Sequence, residues 1–226
     1  MPFDPTYIYL VLPALLFAMW AQYMVTSSFK AYSKKRTTNG MTGAQAAEAV
    51  LRELKVSGVK IERTGGNLTD HFDPKTKTIR LSESVYNSPS IAAVGVAAHE
   101  AGHAAQYAAK YGPMKVRAAI IPVTNLGSSL AVPLVLLGTA LGVAGLIDLG
   151  ILMFGVVVVF QVITLPVEFN ASRRAMAVLD ESKLLAKDEL GGAGRVLNAA
   201  ALTYVGALVV SLTQLVRLAG MRKRRR

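Results

Sequence analysis

The sequence predicts a mainly α-helical protein that crosses a membrane several times and carries a small α+β segment. Three observations lead there. Apolar residues make up 52% of the 226 residues and charged residues only 17%, a balance too apolar for an ordinary soluble domain. Four apolar runs, at 7–25, 120–141, 149–166 and 199–215, are each close to the ~20 residues that cross a bilayer core. Between the first and second runs lies a polar stretch, 37–117, in which short alternating patterns and turn residues replace the apolar runs.

The first run reads as an anchor and not as a cleaved leader, because Met1-Pro2-Phe3-Asp4-Pro5 lacks the basic start of a signal peptide. Lys30, Lys34, Lys35 and Arg36 follow it and favour the cytoplasmic side. In the polar stretch, Thr42-Gly43-Ala44-Gln45 has the form of a capping box. Ala47, Val50, Leu51 and Leu54 then recur at helical spacing. Residues 59–63 alternate, Gly65-Gly66-Asn67 marks a turn and Asp73-Pro74-Lys75 another, and 78–82 reads as a further short strand. Ser88-Pro89-Ser90 opens an Ala-rich helix over about 90–110, closed by Gly112-Pro113. His99, Glu100, His103 and Gln106 in its middle make it a buried helix and not a lipid-facing one. The second and third apolar runs, joined by 142–148, form a helical hairpin. The expected division is 1–26 as membrane helix, 27–117 as the segment holding the His-Glu-Ala-Gly-His helix, 118–166 as membrane hairpin, 167–198 as a polar helix, and 199–226 as a last membrane helix with basic tail.

Composition excludes several chemistries. The chain has no cysteine, which removes disulfides, thiolate metal sites and a cysteine nucleophile. Its net charge of +11 is accounted for by basic loops beside membrane spans, and no nucleic-acid-binding pattern is present.

His99-Glu100-Ala101-Gly102-His103 fits the HExxH pattern. At about 3.6 residues per turn, positions four apart share one helical face, so both imidazoles can hold one ion. Zinc suits imidazole and carboxylate ligands and tolerates an open fourth position. Glu100 is placed to take a proton from the attacking water and return it to the leaving amine. The blander reading is two buried histidines satisfied by neighbours. Against it stands a buried carboxylate, Glu100, with no other explanation, and the placing of two of the chain's three histidines in this one motif.

A third ligand is required, and residue 109 is Ala, where a metzincin would have its third histidine. Glu168, at the point where the hairpin returns, is the favoured carboxylate, with Asp180 or Glu181 as the alternative. His71 is a candidate to hydrogen-bond the oxyanion of a tetrahedral intermediate, beside its competing reading as a turn residue next to Asp73-Pro74; Tyr86 is a weaker one. Arg173 and Arg174 read as surface charges.

The runs Asp70-His71-Phe72-Asp73-Pro74, 91–106 and Leu165-Pro166-Val167-Glu168-Phe169-Asn170-Ala171-Ser172, with the opening Phe3-Asp4-Pro5-Thr6, resemble the YugP-like neutral zinc metallopeptidases of bacterial membranes. More distantly the chain is similar to the HtpX-like membrane proteases, in which HExxH is followed by a Glu-x-x-x-Asp helix. That resemblance implies a zincin-like catalytic segment, a Zn²⁺ cofactor and Glu168 as third ligand. The Asp of the pattern falls on Ser172, so Asn170 or Ser172 would have to orient a ligand histidine in its place. The function expected is a membrane-embedded zinc metalloendopeptidase acting on membrane or misfolded proteins. The rival is an inactive membrane scaffold or regulator that retains a metal site. Expected partners are the lipid bilayer and protein or peptide substrates. Basic residues within 27–117 and 173–195 place the active site in the cytoplasm of a multi-pass cell-membrane protein, although the tail Arg222 to Arg226 conflicts with that orientation if the last run crosses fully.

Overall fold

The computed structural model describes residues 5–223; Phe3 and Asp4 of the opening run and residues 224–226 of the basic tail lie outside them. A π-helical stretch, Tyr7–Val11, leads into α1 (Leu12–Ser33). Then come α2 (Gly43–Glu53), β1 (Lys60–Thr64), β2 (His71–Asp73), β3 (Thr78–Ser82), α3 (Glu83–Tyr86), α4 (Ile91–Ala108), α5 (Gly112–Leu141), α6 (Ala144–Glu181) and α7 (Lys187–Lys223). The mainly α class and the small α+β segment are both present. Four helices among the described residues are long and apolar enough to cross a membrane: Tyr7–Ser33, Gly112–Leu141, Ala144–Glu181 and Lys187–Arg222.

The chain forms two compact units. One comprises Gln22–Met114 and Val167–Ala201, the other Met1–Ala21, Lys115–Pro166 and Leu202–Arg226.

The first unit is organised around α4. Ala92, Ala93, Val94, Ala97, Ala98, Ala101 and Ala104 are fully buried, so α4 is covered on nearly every side, as its small residues require. Its partners in the core are Ala46, Ala47, Val50 and Leu51 of α2, Ile79 and Leu81 of β3, Ala175, Val178 and Leu179 of α6, and Ala193 of α7. Ser90 caps α4 by accepting a hydrogen bond from the Ala93 amide (3.2 Å). The capping box of α2 is complete: Thr42 Oγ accepts from the Gln45 amide (3.4 Å) and Gln45 Oε1 from the Thr42 amide (2.9 Å).

The sheet has the order β1-β3-β2. β1 runs parallel to β3, pairing Lys60 with Thr78 through Thr64 with Ser82; β2 runs antiparallel, pairing His71 with Arg80. β3 is therefore central, with Thr78, Ile79, Leu81 and Ser82 buried.

In the second unit α5 and α6 form the expected hairpin, but the connection is tighter than 142–148. Only residues 142 and 143 lie between the helices, and Asp148 belongs to the early turns of α6. Gly142, at φ +69°, makes the reversal in a region that favours glycine. The two helices pack through small residues: a Cβ on Gly127 would meet the Met153 carbonyl oxygen at 2.8 Å, and one on Gly150 the Ala131 carbonyl oxygen at 2.7 Å. At the far end of α7, Arg222 reaches Asp148 with two hydrogen bonds, Nε to Oδ1 at 2.6 Å and an Nη to Oδ2 at 2.9 Å.

α6 does not stop where its composition changes. It continues through Pro166 into the polar stretch and ends at Glu181. At about 1.5 Å per residue its 38 residues amount to roughly 57 Å of helix, more than the ~30 Å hydrocarbon core requires.

Candidate metal centre

Two helices build the site. α4 supplies His99 and His103, one turn apart, and α6 supplies Glu168. They can come this close because of Gly102, which lies between the two histidines. A Cβ there would stand 2.5 Å from the carbonyl oxygen of Ala171 and 3.3 Å from its Cα. The backbones of α4 and α6 thus touch, and the residue one turn before Ala171 on the same face is Glu168.

His99, His103 and Glu168 form a cluster whose ligand atoms all lie within 4.8 Å of one another. The Glu168 carboxylate oxygen Oε2 is 3.4 Å from Nε2 of each histidine. That is longer than the ~2.7–3.2 Å usual for a good N–H···O hydrogen bond. It is close to the roughly 3.3–3.5 Å that separates two ligands held about 2.0–2.1 Å from a tetrahedral ion. The rings meet edge to face, 4.6 Å apart at 85°, so each can direct Nε2 at a common point. The three residues therefore fit a zinc ion by donor type and by spacing.

The other ring nitrogens are engaged. His99 Nδ1 is 3.0 Å from Ser172 Oγ, and His103 Nδ1 is 3.0 Å from Gln106 Oε1. Ser172, on which the aspartate of the related pattern falls, thus contacts one of the two clustered histidines. Gln106, fully buried, donates through Nε2 to the Val167 carbonyl (2.7 Å) and to Asn170 Oδ1 (3.0 Å); Asn170 Oδ1 also accepts from Arg174 Nε (2.9 Å). Arg174 is accordingly tied to the site's supporting network and is not a free surface charge.

The electrostatics favour a cation. Burial by itself depresses the His103 pKa, yet the carboxylates of Glu168 and Glu100 and the Gln106 contact outweigh it and hold the imidazole above its ordinary value. A site that stabilises an imidazolium in the interior also stabilises a metal ion.

Glu100, 8% exposed, is buried beside the cluster without belonging to it. Asp70 feels its charge: burial raises the Asp70 pKa, hydrogen bonds from the Ser82 amide and hydroxyl oppose the rise, and Glu100 adds to it. Asp70 so fixes the end of β3 near the carboxylate of α4.

His71 is on the edge strand β2, exposed, and outside the cluster. Its Nδ1 lies 2.8 Å from the Thr69 carbonyl oxygen. A carbonyl only accepts, so Nδ1 carries the proton, and Nε2 can donate only from the imidazolium form. Asp73 holds the β2–β3 turn. It accepts from Thr76 Oγ (2.8 Å), Arg80 (3.1 Å) and the Lys75 amide (2.9 Å), and these bonds lower its pKa to about 2. Tyr86 has the Arg63 guanidinium over its ring at 5.8 Å. Asp180 and Glu181, the alternative third ligands, are exposed near the end of α6 and outside the cluster.

Sequence reasoning did not assign a role to Gln106 or to Gly102. The signal for Gln106 was its spacing, three residues after His103 on one helical face; for Gly102 it was a glycine in the interior of a helix, where it costs stability unless something comes close.

Comparison with known proteins gives a consistent result. The family described as "Putative neutral zinc metallopeptidase" matches residues 7–223. A Bacillus subtilis (strain 168) protein, "Putative membrane protease YugP", is 46% identical over 211 residues, covering 93% of this chain and 94% of the relative. No solved structure matches the chain.

Proposed function

Taking as premise that the chain belongs to the neutral zinc metallopeptidase family, we propose that it is a membrane-embedded endopeptidase whose zinc is held by His99, His103 and Glu168. The single observation that carries the site assignment is the pair of 3.4 Å separations between the Glu168 carboxylate and the two Nε2 atoms. Zinc, when bound, supplies Lewis acidity that polarises the scissile carbonyl and lets water attack near neutral pH. Glu100 accepts the proton of that water and passes it to the leaving amine. Ser172 and Gln106 keep the two rings aimed. His71, when protonated, is a donor available to the oxyanion from the edge of the sheet. The open edge of β2 offers backbone groups to which an extended substrate can add as a further strand. The substrates proposed are membrane or misfolded proteins, whose extended segments meet that requirement.

The test is cleavage of an unfolded membrane protein by the purified, detergent-solubilised enzyme, with products mapped by mass spectrometry. Internal cuts that stop on zinc chelation and resume on zinc addition are expected. Release of single terminal residues alone would contradict the endopeptidase reading, and no cleavage of any unfolded protein would favour the inactive scaffold.

The proposed arrangement along the chain is a membrane helix at 1–26, a catalytic segment at 27–117, a membrane hairpin at 118–166, the ligand-bearing stretch at 167–198 and a last membrane helix and tail at 199–226. All four apolar helices cross in this reading, which is that of a multi-pass protein of the cell membrane. The Arg222–Asp148 pair supports it, since it sets the end of α7 beside the start of α6. The end of α7 therefore lies on the side of residues 142–143. Its charge is partly compensated there: Asp148 pairs with Arg222, and Arg217 lies over the Tyr7 ring at 5.2 Å. The basic residues within 27–117 and 173–195 then favour the orientation with the active site in the cytoplasm. The native chain has no cysteine, so single cysteines report cleanly. In intact cells an impermeant thiol reagent should label Gly145→Cys and spare Ser57→Cys; the reverse pattern overturns the orientation.

A further inference from the structure

The side chain of Gln106 is fully buried, sits between α4 and α6, and makes three hydrogen bonds. Two of them settle which way its amide faces. Val167 O and Asn170 Oδ1 lie 2.7 and 3.0 Å from one end of the amide. The Val167 carbonyl can only accept, so the NH₂ group is at that end. Asn170 Oδ1 is an acceptor as well, because it also receives the Arg174 Nε–H. The amide oxygen then points at His103 Nδ1, 3.0 Å away. An oxygen acceptor there requires a proton on Nδ1, which leaves the lone pair of neutral His103 on Nε2, the atom 3.4 Å from Glu168. The His99–Ser172 contact carries no such constraint, since a hydroxyl can donate or accept.

The same amide does a second thing. Val167 directly precedes Glu168, and Asn170 is two residues beyond it. By gripping both, Gln106 fixes the turn of α6 that carries the carboxylate against the helix that carries both histidines.

We propose that Gln106 is the positioning residue of the metal centre, locking the Nδ1–H tautomer of His103 and tying the turn that bears Glu168 to α4. This rests on the reading of His99, His103 and Glu168 as zinc ligands.

The test uses the full-length protein in detergent, labelled with ¹⁵N in its histidine rings. The chain has only three histidines, so the ring spectrum is small enough to assign with His71→Ala and His99→Ala. In zinc-free wild type, at a pH where the rings are neutral, His103 should be the Nδ1–H tautomer. Gln106→Met keeps the volume and removes the acceptor and donors. In that variant His103 should shift towards Nε2–H, and zinc affinity by chelator competition should fall about 10–100-fold. Gln106→Glu restores an acceptor for His103 and should return the Nδ1–H tautomer. A Gln106→Met protein with an unchanged His103 tautomer, or with wild-type zinc affinity, overturns the inference. If Gln106→Met does not fold, as judged by the melting of the zinc-free protein, Gln106→Glu decides: His103 as Nε2–H there overturns it. The underlying site fails separately, by full zinc retention in His103→Ala. Normal zinc in Gln106→Met beside a zinc-deficient His103→Ala sinks the positioning role alone.

Discussion

Glu100→Gln should reduce peptide-bond hydrolysis by about 10²–10⁴-fold while leaving zinc content unchanged. The substitution keeps the shape of the side chain and its burial on α4 but removes the group proposed to accept the water proton. Glu100 lies outside the His99, His103 and Glu168 cluster, so the proposed ligand set stays intact. Cleavage of an unfolded protein and zinc content, measured on the same preparation, give the answer. Loss of both together would place Glu100 among the ligands. Full activity would remove it from the chemistry. The residues near Glu100 make a second, structural consequence small: Asp70, the carboxyl that feels its charge, is held by Ser82 regardless of what residue 100 carries.

Gly102→Val should empty the site without touching a ligand. Even a methyl at this position would meet the Ala171 carbonyl oxygen at 2.5 Å, and that atom is backbone and cannot swing away. The helices must separate, and overpacking of this kind costs about 1–3 kcal/mol. Glu168 rides on α6, so the same displacement carries its carboxylate away from the two Nε2 atoms, and the stabilisation that bound zinc lends the fold is lost with it. The expected result is a variant with little zinc and a lowered melting temperature. By contrast Gly145→Ala, where a Cβ has nothing within 4 Å, should match wild type in both. A Gly102→Val protein with one zinc per chain would show that the close approach of α4 and α6 is not what brings the ligands together.

These two residues also show where sequence reading succeeds and stops. Glu100 and its histidine neighbours are legible because their relation is local: a helix puts positions four apart on one face whatever surrounds it. Ser90, Thr42 and Gln45 were legible for the same reason, since a cap is a contact within three residues. Glu168 was favoured over Asp180 and Glu181 by position, as the carboxylate where the hairpin returns, and the family resemblance implied the same residue. Gly102 and Gln106 are different. What a glycine permits depends on a backbone 69 residues away, and the Gln106 amide finds its partners 61 and 64 residues along. Nothing local in the chain encodes either distance.

Two helix ends differ from what composition suggests. The change from apolar to polar at residue 167 reads as the end of an apolar run. The helix nevertheless continues to Glu181, because Ala175, Val178 and Leu179 keep one apolar face in the core around α4 and Ala171 lies against Gly102. Glu168, one turn before Ala171 on that buried face, is the polar exception. The hairpin turn was overestimated because Gly142 to Asp148 has the composition of a loop, whereas a single glycine at φ +69° suffices to reverse the chain. The fate of the basic tail could not be read from charge counts, which conflict; a specific pair, Arg222 with Asp148, bears on it instead.

The central claim is that α4 and α6 together hold one zinc ion through His99, His103 and Glu168. The most direct measurement is zinc per chain, by elemental mass spectrometry, for wild type and Glu168→Ala purified side by side. Wild type should carry one zinc per chain. Glu168→Ala should carry little, since two histidines on one helix are left to hold the ion alone. An equal and full complement of zinc in Glu168→Ala would contradict the account.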